Sequence, residues 1–360
     1  MTISDAQLSL PIRVASTDRQ ERNPRPAASA AVRRRMNRWG ATEVFDLYWR
    51  FAGRRQRILE RRLAGSTPPW TDDPILARHR FTNPYRLSDR VSQYLLRRVQ
   101  YDRPRPVTTI ILRTLLFKVF NRIDTWESLV AAVGEPTTAR FDPAQYEAVL
   151  SDLRKSGRRI YSPAYIVPNP PFDAVAKHGN HLRLIAWLIE RGVVDNLARA
   201  GSLRRLFEIL QAVPSFGPFL AFQYAVDINY SAATVDGESG FVVAGPGAKD
   251  GLRKCFASLP AGSEHDAILW VAETQHDHFG RLGIEFPFLA GRALQPIDCQ
   301  NLFCEVDKYA RISHPHITGR SGRTRIKQVF EPTGREPLAP LFVPPKWTPG
   351  SGTDREEALF

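Results

Sequence analysis

Three polar constellations in the chain have the residue types and spacing that acid–base chemistry and hydrogen-bonded recognition require. In the string Cys-Glu-Val-Asp-Lys-Tyr at 304–309, Glu305 lies three residues before Lys308 and four before Tyr309. On a helix that spacing sets an acid or base beside an amine, although it also suits an ordinary surface salt bridge. Upstream, Asn83, Tyr85, Arg86, Asp89, Arg90 and Gln93 crowd hydrogen-bonding groups into a helix entrance. Asn and Gln amides can meet a base edge with two bonds, and Arg a guanine or a phosphate. The third constellation surrounds Asp227, which on a helix shares a face with Gln223, Tyr224 and Tyr230, a set able to hydrogen-bond and stack on a base.

Asp227 and Asp236 each follow a valine, and both are candidate catalytic carboxylates. A buried structural acid at 227 and a solvated loop acid at 236 are the plain alternatives. Gly245 and Gly247 flank a proline just before a predicted helix, with Lys249, Arg253 and Lys254 following; this is either a backbone nest for a phosphate or a simple helix cap. His276 and His278 stand two apart and point different ways on a helix, and the three cysteines form no Cys-x-x-Cys pair, so neither a metal site nor a disulfide framework is expected. No cofactor is called for.

The elements that must carry these groups are mostly helical. Val44, Leu47, Tyr48 and Phe51 begin a helix that runs to Gly65, and apolar periodicity places others at 88–99, 107–120, 174–191, 203–212, 218–230, 248–258, 263–279 and 297–310. Strand signals are confined to Phe241–Ala244 and Tyr165–Val167. Residues 1–40 are rich in Arg, Pro, Ala and Ser and read as a flexible basic arm. Residues 41–312 form the helical body, with a Pro-rich stretch at 162–173 as a possible subdomain boundary. Residues 313–360 form a basic and then Pro-rich tail, expected to wrap loosely.

The segment 203–230 is the most informative. Leu203, Leu206, Phe207 and Leu210 make one amphipathic helix, Val213–Gly217 a break, and Pro218 suits the first turn of the next helix. Helix, hairpin and helix, with Pro214, Gly217 and Ala221 in place, resemble the helix-hairpin-helix of the DNA glycosylase superfamily; Ser215 replaces the usual first glycine. The resemblance implies that Phe216, Gly217 and Pro218 grip a DNA phosphate, and that a catalytic aspartate, often after a valine, follows by about twenty residues, a spacing nearer to Asp236 than to Asp227. Its role would be to stabilise the oxocarbenium-like sugar formed when the bond to a base rotated out of the duplex breaks.

Several longer strings extend the resemblance: FTNPYRLSDRVSQYL (81–95), FKVFNRIDTWESL (117–129), FGPFLAFQYAVDINYS (216–231), FVVAGPGAKDGLRKCF (241–256) and QNLFCEVDKYAR (300–311). Together they look like the helical-domain family associated with 5-hydroxymethyldeoxyuridine DNA kinases, and like the α-glutamyl/putrescinyl-thymine pyrophosphorylases. That implies a mainly α, glycosylase-like fold with few short strands, and work on hypermodified bases in DNA. The chain has no GxxxxGK[ST] string, so it is not expected to be a P-loop kinase itself. Base excision leads among the expected activities; transfer of an amine onto a phosphorylated hydroxymethyl-pyrimidine, or non-enzymatic reading of modified DNA, are the alternatives.

Bulk composition agrees with a polyanion partner. Net charge is +13, from 50 Lys and Arg against 37 Asp and Glu, and residues 1–100 alone hold 20 basic against 9 acidic side chains. Each cation that meets a phosphate releases a condensed counterion. At 43% hydrophobic residues the chain can bury a core. It has neither an 18-residue apolar run nor a basic start followed by an apolar stretch, so a cytoplasmic protein with no membrane contact is expected.

Overall fold

In a computed structural model, which describes residues 29–163, 167–234, 237–331 and 338–347, the chain is mainly helical. The helices are α1 (Ala30–Trp39), α2 (Glu43–Leu63), α3 (Pro74–Arg78), α4 (Arg90–Tyr94), α5 (Val107–Phe120), α6 (Ile123–Val133), α7 (Pro143–Lys155), α8 (Lys177–Glu190), α9 (Val193–Ala198), α10 (Leu203–Gln211), α11 (Pro218–Asn229), α12 (Pro246–Cys255), α13 (Glu264–Glu273), α14 (Gln275–Arg281) and α15 (Pro296–Ser313). Among the described residues β structure is limited to two isolated antiparallel bridges, Ala41 with Phe256 and His79 with Val329. The strand expected at Phe241–Ala244 is absent; the strand at 165–167 and Asp236 lie largely or wholly outside the described residues.

The chain divides into two units, residues up to 89 with 238–341, and 90–237 with 342 onward. The division falls at 89/90 and 237/238, and the Pro-rich stretch 162–173 lies inside the second unit. In the first unit, α2 buries Phe45, Tyr48, Trp49, Phe51, Ala52 and Leu59 on one stripe, the geometry of an amphipathic helix on a core. Glycines let α12 approach α15 closely: a Cβ at Gly251 would fall 2.0 Å from the Phe303 carbonyl oxygen, and one at Gly247 would press on Cys304 Sγ at 3.1 Å. Residues 30–39, expected within a flexible arm, are instead helical. Ser29 caps α1 by accepting from Val32 N–H, and Val32 and Trp39 are buried beneath the exposed arginines.

The second unit is built around α5, of which Thr109 through Phe120 are all buried. The helix continuing α4 widens to a π-turn over Leu95–Gln100, and the buried Arg113 collects carbonyls there, donating to Val99 O at 2.8 Å and Arg98 O at 3.0 Å. Its charge is met by Glu135 at 2.7 Å and by Trp126, whose ring lies 5.2 Å away. α10 and α11 form the expected helix, hairpin and helix. The tail does not wrap loosely where it is described: residues 328–330 pair with 78–80, and Phe342 is held by the Gln93 side chain.

Candidate functional site

α2, α15 and the segment 79–89 bring the first two polar strings together in the first unit. Phe81 wedges between Phe51 and Tyr309, with ring centroids 5.3 and 6.0 Å apart, and Lys308 Nζ lies 4.9 Å over its face. This fixes the peptide unit joining Phe81 to Thr82. Arg55 on α2 donates to the Phe81 carbonyl through Nε and Nη2, at 3.3 and 3.2 Å, while Glu305 Oε2 accepts the Thr82 N–H at 2.9 Å. One peptide is thus held on one side by a cation and on the other by an anion. Lys308 completes the arrangement, 2.8 Å from Glu305 Oε2 and donating to Arg80 O at 3.1 Å.

Past this point the chain turns through residues 86–88, where Ser88 Oγ donates to Tyr85 O at 2.6 Å and the Asn83 amide donates to Ser88 O at 3.3 Å. The turn carries Asp89 back towards Arg55 and Glu305, and the Asn83 backbone N–H donates to the Asp89 carboxylate. Burial pushes the Asp89 carboxyl up to about 6, against the pull of Arg55 and with added repulsion from Glu305. Burial also lowers the Arg55 guanidinium to about 10, so it stays charged at neutral pH. Among the described residues, the buried acceptor Asn83 Oδ1 and the buried donor Arg55 Nη1 have no hydrogen-bond partner. Such orphans are rare enough to call for a physical reason.

One turn along α15, Tyr309 donates to Asp73 Oδ2 at 2.6 Å, and Arg54 reaches the same oxygen at 2.9 Å. Arg54, Asp72, Asp73, Pro74, Ile75 and Tyr309 line a cleft of about 270 Å³. Tyr85 is structural, since its buried hydroxyl donates to Arg292 O and accepts from Leu289 N–H. Arg86 is buried, and its backbone N–H donates to Asp298 Oδ1 at 2.8 Å. Arg55 was not marked by sequence reasoning, because it is one of many arginines in Arg-Arg-Gln-Arg-Ile-Leu-Glu-Arg-Arg. Its signal was available in position: 51, 55 and 59 fall at i, i+4, i+8 on the apolar stripe, where an arginine is out of place.

Residues expected to read a base from the second unit are its core. α11 buries every residue from Leu220 to Asn229, so Gln223 and Tyr224 face packed neighbours, with Phe216 4.7 Å from the Tyr224 ring. A helix apolar around its whole perimeter is an interior helix, and polar side chains on it are interior as well. Asp227 is 1% exposed and ion-paired to the buried Lys118. Its position removes the open carboxylate that a sugar cation would need. Tyr230 is buried against Trp347 at 5.6 Å, and Gln93 spends both amide groups on the backbone of Phe342, at 3.0 and 2.7 Å.

The Gly245–Gly247 turn makes no concave nest. Gly245 has φ −72°, Gly247 lies in the first turn of α12, and neither adopts the left-handed conformation that such a nest uses. Lys254 is turned inward, 2% exposed and 3.0 Å from Asp307, so it is committed to the contact between α12 and α15. At the 212–217 hairpin the positive φ belongs to Ser215, at 69°, where the resembling motif has its first glycine. Gly217 has φ −74°, and a Cβ placed there would meet nothing within 4 Å. No side chain caps α11, and its first backbone bond is Ala221 N–H to Gly217 O, leaving the first-turn N–H groups open beside an exposed Gly217 and Pro218.

Comparison with known proteins places these features in a wider group. The family described as "5-hmdU DNA kinase, helical domain" matches residues 42–319, which include the Asp89–Glu305 cluster and the hairpin. A protein named 5-hmdU DNA kinase, from Bacillus phage SP10, is 27% identical over 291 residues, covering 74% of this chain and 45% of that relative. The chain therefore spans less than half the length of the relative it matches. No solved structure matches. Among the described residues no helix is long and apolar enough to cross a membrane.

Proposed function

This chain belongs to the 5-hmdU DNA kinase helical-domain family, and from that premise we propose that it binds DNA and acts on a 5-hydroxymethyl-pyrimidine base through the Asp89–Glu305 cluster. The observation that carries the reading is a pair of carboxylates, Asp89 and Glu305, that repel each other within the field of Arg55, with burial raising Asp89 to about 6. A carboxylate of that pKa is ionised at neutral pH yet basic enough to take a proton, the property of a general base. In this proposal Asp89 accepts the hydroxymethyl proton as that oxygen bonds to the terminal phosphorus of a nucleoside triphosphate. The bond from that phosphorus to the bridging oxygen breaks, and the nucleoside diphosphate leaves. Arg55, whose charge acts on Asp89, and Lys308, paired with Glu305, are the cations assigned to the charge that develops.

Asn83 Oδ1 and Arg55 Nη1 offer an unmatched acceptor and donor for the polar edge of a base. With no GxxxxGK[ST] string, the chain is assigned the base side of the reaction rather than the cradle for the nucleotide phosphates. Burial against Lys118 removes Asp227 from the two carboxylates that base excision could use; the other, Asp236, lies outside the described residues. The hairpin N–H groups at α11 serve as a sequence-independent phosphate grip in the same reading.

The test uses two duplexes that differ only in 5-hydroxymethyluracil against thymine at one position. Binding is measured for each; then nucleoside triphosphate and Mg²⁺ are added, the DNA is digested, and the nucleosides are weighed. Tighter binding of the modified duplex and a modified nucleoside heavier by one phosphoryl group are expected. Alkali-labile sites would instead establish excision, and equal affinity with unchanged nucleosides would overturn the proposal.

A further inference from the structure

After α15 the chain runs through Gly-Arg-Ser-Gly-Arg-Thr-Arg-Ile-Lys at 319–327, a segment that looks like a loose tail by composition but is pinned in the first unit at three points. At its start, the Asp250 carboxylate accepts the Ser321 N–H at 3.1 Å, and Gly319 packs so closely on Asp250 that a Cβ would come within 2.9 Å. In its middle, Arg311 Nη1 donates to Arg325 O at 3.1 Å. At its end, Arg80 N–H donates to Gln328 O at 3.1 Å and Phe330 N–H to Arg78 O at 2.9 Å, around the antiparallel bridge of His79 with Val329.

All three anchors use the ribbon's backbone, which leaves its side chains outward. Arg320, Arg323, Arg325 and Lys327 are exposed, as are Arg78 and Arg80 on the paired segment, and none of the six has an acidic partner among the described residues. Holding unpaired like charges on an ordered ribbon costs self-repulsion, which a purely structural crossing would not need. Arg323, Arg325 and Lys327 also stand at alternate positions. In an extended run that spacing is about 6.7 Å, comparable to the separation of successive phosphates along a strand. The ribbon adjoins the candidate site through Arg80, whose carbonyl receives Lys308.

We infer that the ribbon 320–327, with Arg78 and Arg80, is a docking surface for the phosphate backbone of DNA beside the Asp89–Glu305 cluster. This rests on the reading of the chain as a DNA-acting protein, and adds where the duplex lies. The contact is to backbone, so it carries no preference for the modified base.

The experiment compares the wild-type chain with a variant bearing Arg320→Gln, Arg323→Gln, Arg325→Gln and Lys327→Gln. A control loses the same charge elsewhere, with Gln at Arg154, Arg159, Arg183 and Arg191, which are exposed in the second unit. Affinity for the 5-hydroxymethyluracil and thymine duplexes is followed from low to high salt. For the ribbon variant, the slope of log affinity against log salt should fall by about 0.9 for each phosphate that the protein no longer neutralises, so by about 3 to 4. Affinity at physiological salt should drop at least about tenfold for both duplexes alike, leaving their ratio unchanged. An unchanged slope, or an equal loss in the control, overturns the surface while leaving DNA binding intact; absence of salt-dependent binding by wild type overturns both proposals. Unaltered circular dichroism and melting of the variant keep the comparison free of unfolding.

Discussion

At the scale of the residue, two of the three aspartates singled out on sequence grounds, Asp89 and Asp227, have opposite situations. Asp89 is held at about 6 by burial and by Glu305, with Arg55 opposing, so a reaction using it as base should lose rate as pH falls, with a midpoint near 6. The Asp89→Asn variant should lack that limb and have little activity at any pH, measured as kcat/KM from pH 5 to 8. Stability runs the other way. Below the unfolded value near 3.8 both states are protonated, and between there and 6 the folded state keeps a proton that the unfolded chain releases. The stabilising contribution is therefore lost as pH rises through 6, and Asp89→Asn should melt higher than wild type at pH 7 to 8 but not at pH 3.5. Asp227 is a buried partner of Lys118. Asp227→Asn should lower unfolding free energy by about 3 kcal/mol, because the buried Lys118 ammonium loses its carboxylate, whereas Lys118→Met with Asp227→Leu should restore most of it in denaturant titration.

At the scale of the element, the hairpin separates geometry from contact. Ser215 takes the positive φ, so Ser215→Gly should stabilise the protein by about 1 kcal/mol through relief of the left-handed penalty. Gly217→Ala should leave the melting temperature unchanged, since its φ is ordinary and the space is open. A severalfold loss of DNA affinity in that variant is expected if a phosphate approaches there; unchanged affinity would remove the hairpin from the interface. Helices with strong punctuation were legible in the sequence, as at 107–120, where Val107–Phe120 ends on the left-handed Asn121. α1 was hidden because its arginines outweigh Val32 and Trp39, and α7 because only Tyr146 and Leu150 are buried, although Asp142 before Pro143 was a readable cap. The strings holding Asn83 and Asp89 and holding Glu305 and Lys308 were each legible, but nothing in the sequence joined them; the hold of Arg55 and Glu305 on one peptide depends on tertiary packing. Gln223 and Tyr224 were misread for a general reason: residue type does not tell a buried polar group from an accessible one.

At the scale of the whole molecule, polar side chains that sequence reasoning assigns to ligands often serve the chain's own backbone. Gln93 is the clearest example, its amide pairing with both backbone groups of Phe342. Gln93→Ala should abolish slow hydrogen exchange at the Phe342 amide and loosen residues 342–347, where Lys346 otherwise meets Asn229 O and Trp347 meets Tyr230, while leaving exchange in α12 and α15 unchanged. Thiol chemistry should be equally unresponsive: Cys255 and Cys299 are buried, and burial raises the Cys304 thiol to about 12.

The interruption of the first unit by residues 90–237 also dictates an order of assembly during synthesis. α2 leaves the ribosome with Phe45, Tyr48, Trp49 and Phe51 on one stripe, but Phe256 and Phe303, against which Phe45 and Tyr48 pack, are encoded far downstream. At roughly 5–20 residues per second, that stripe waits on the order of ten seconds or more while the helices of the second unit emerge and become able to fold. The nascent chain thus passes through a stage in which one unit is nearly complete and the other is an exposed apolar helix. Chaperone capture should peak in that window, and a ribosome stalled shortly before residue 238 should display a protease-sensitive α2 upstream of a protected α5.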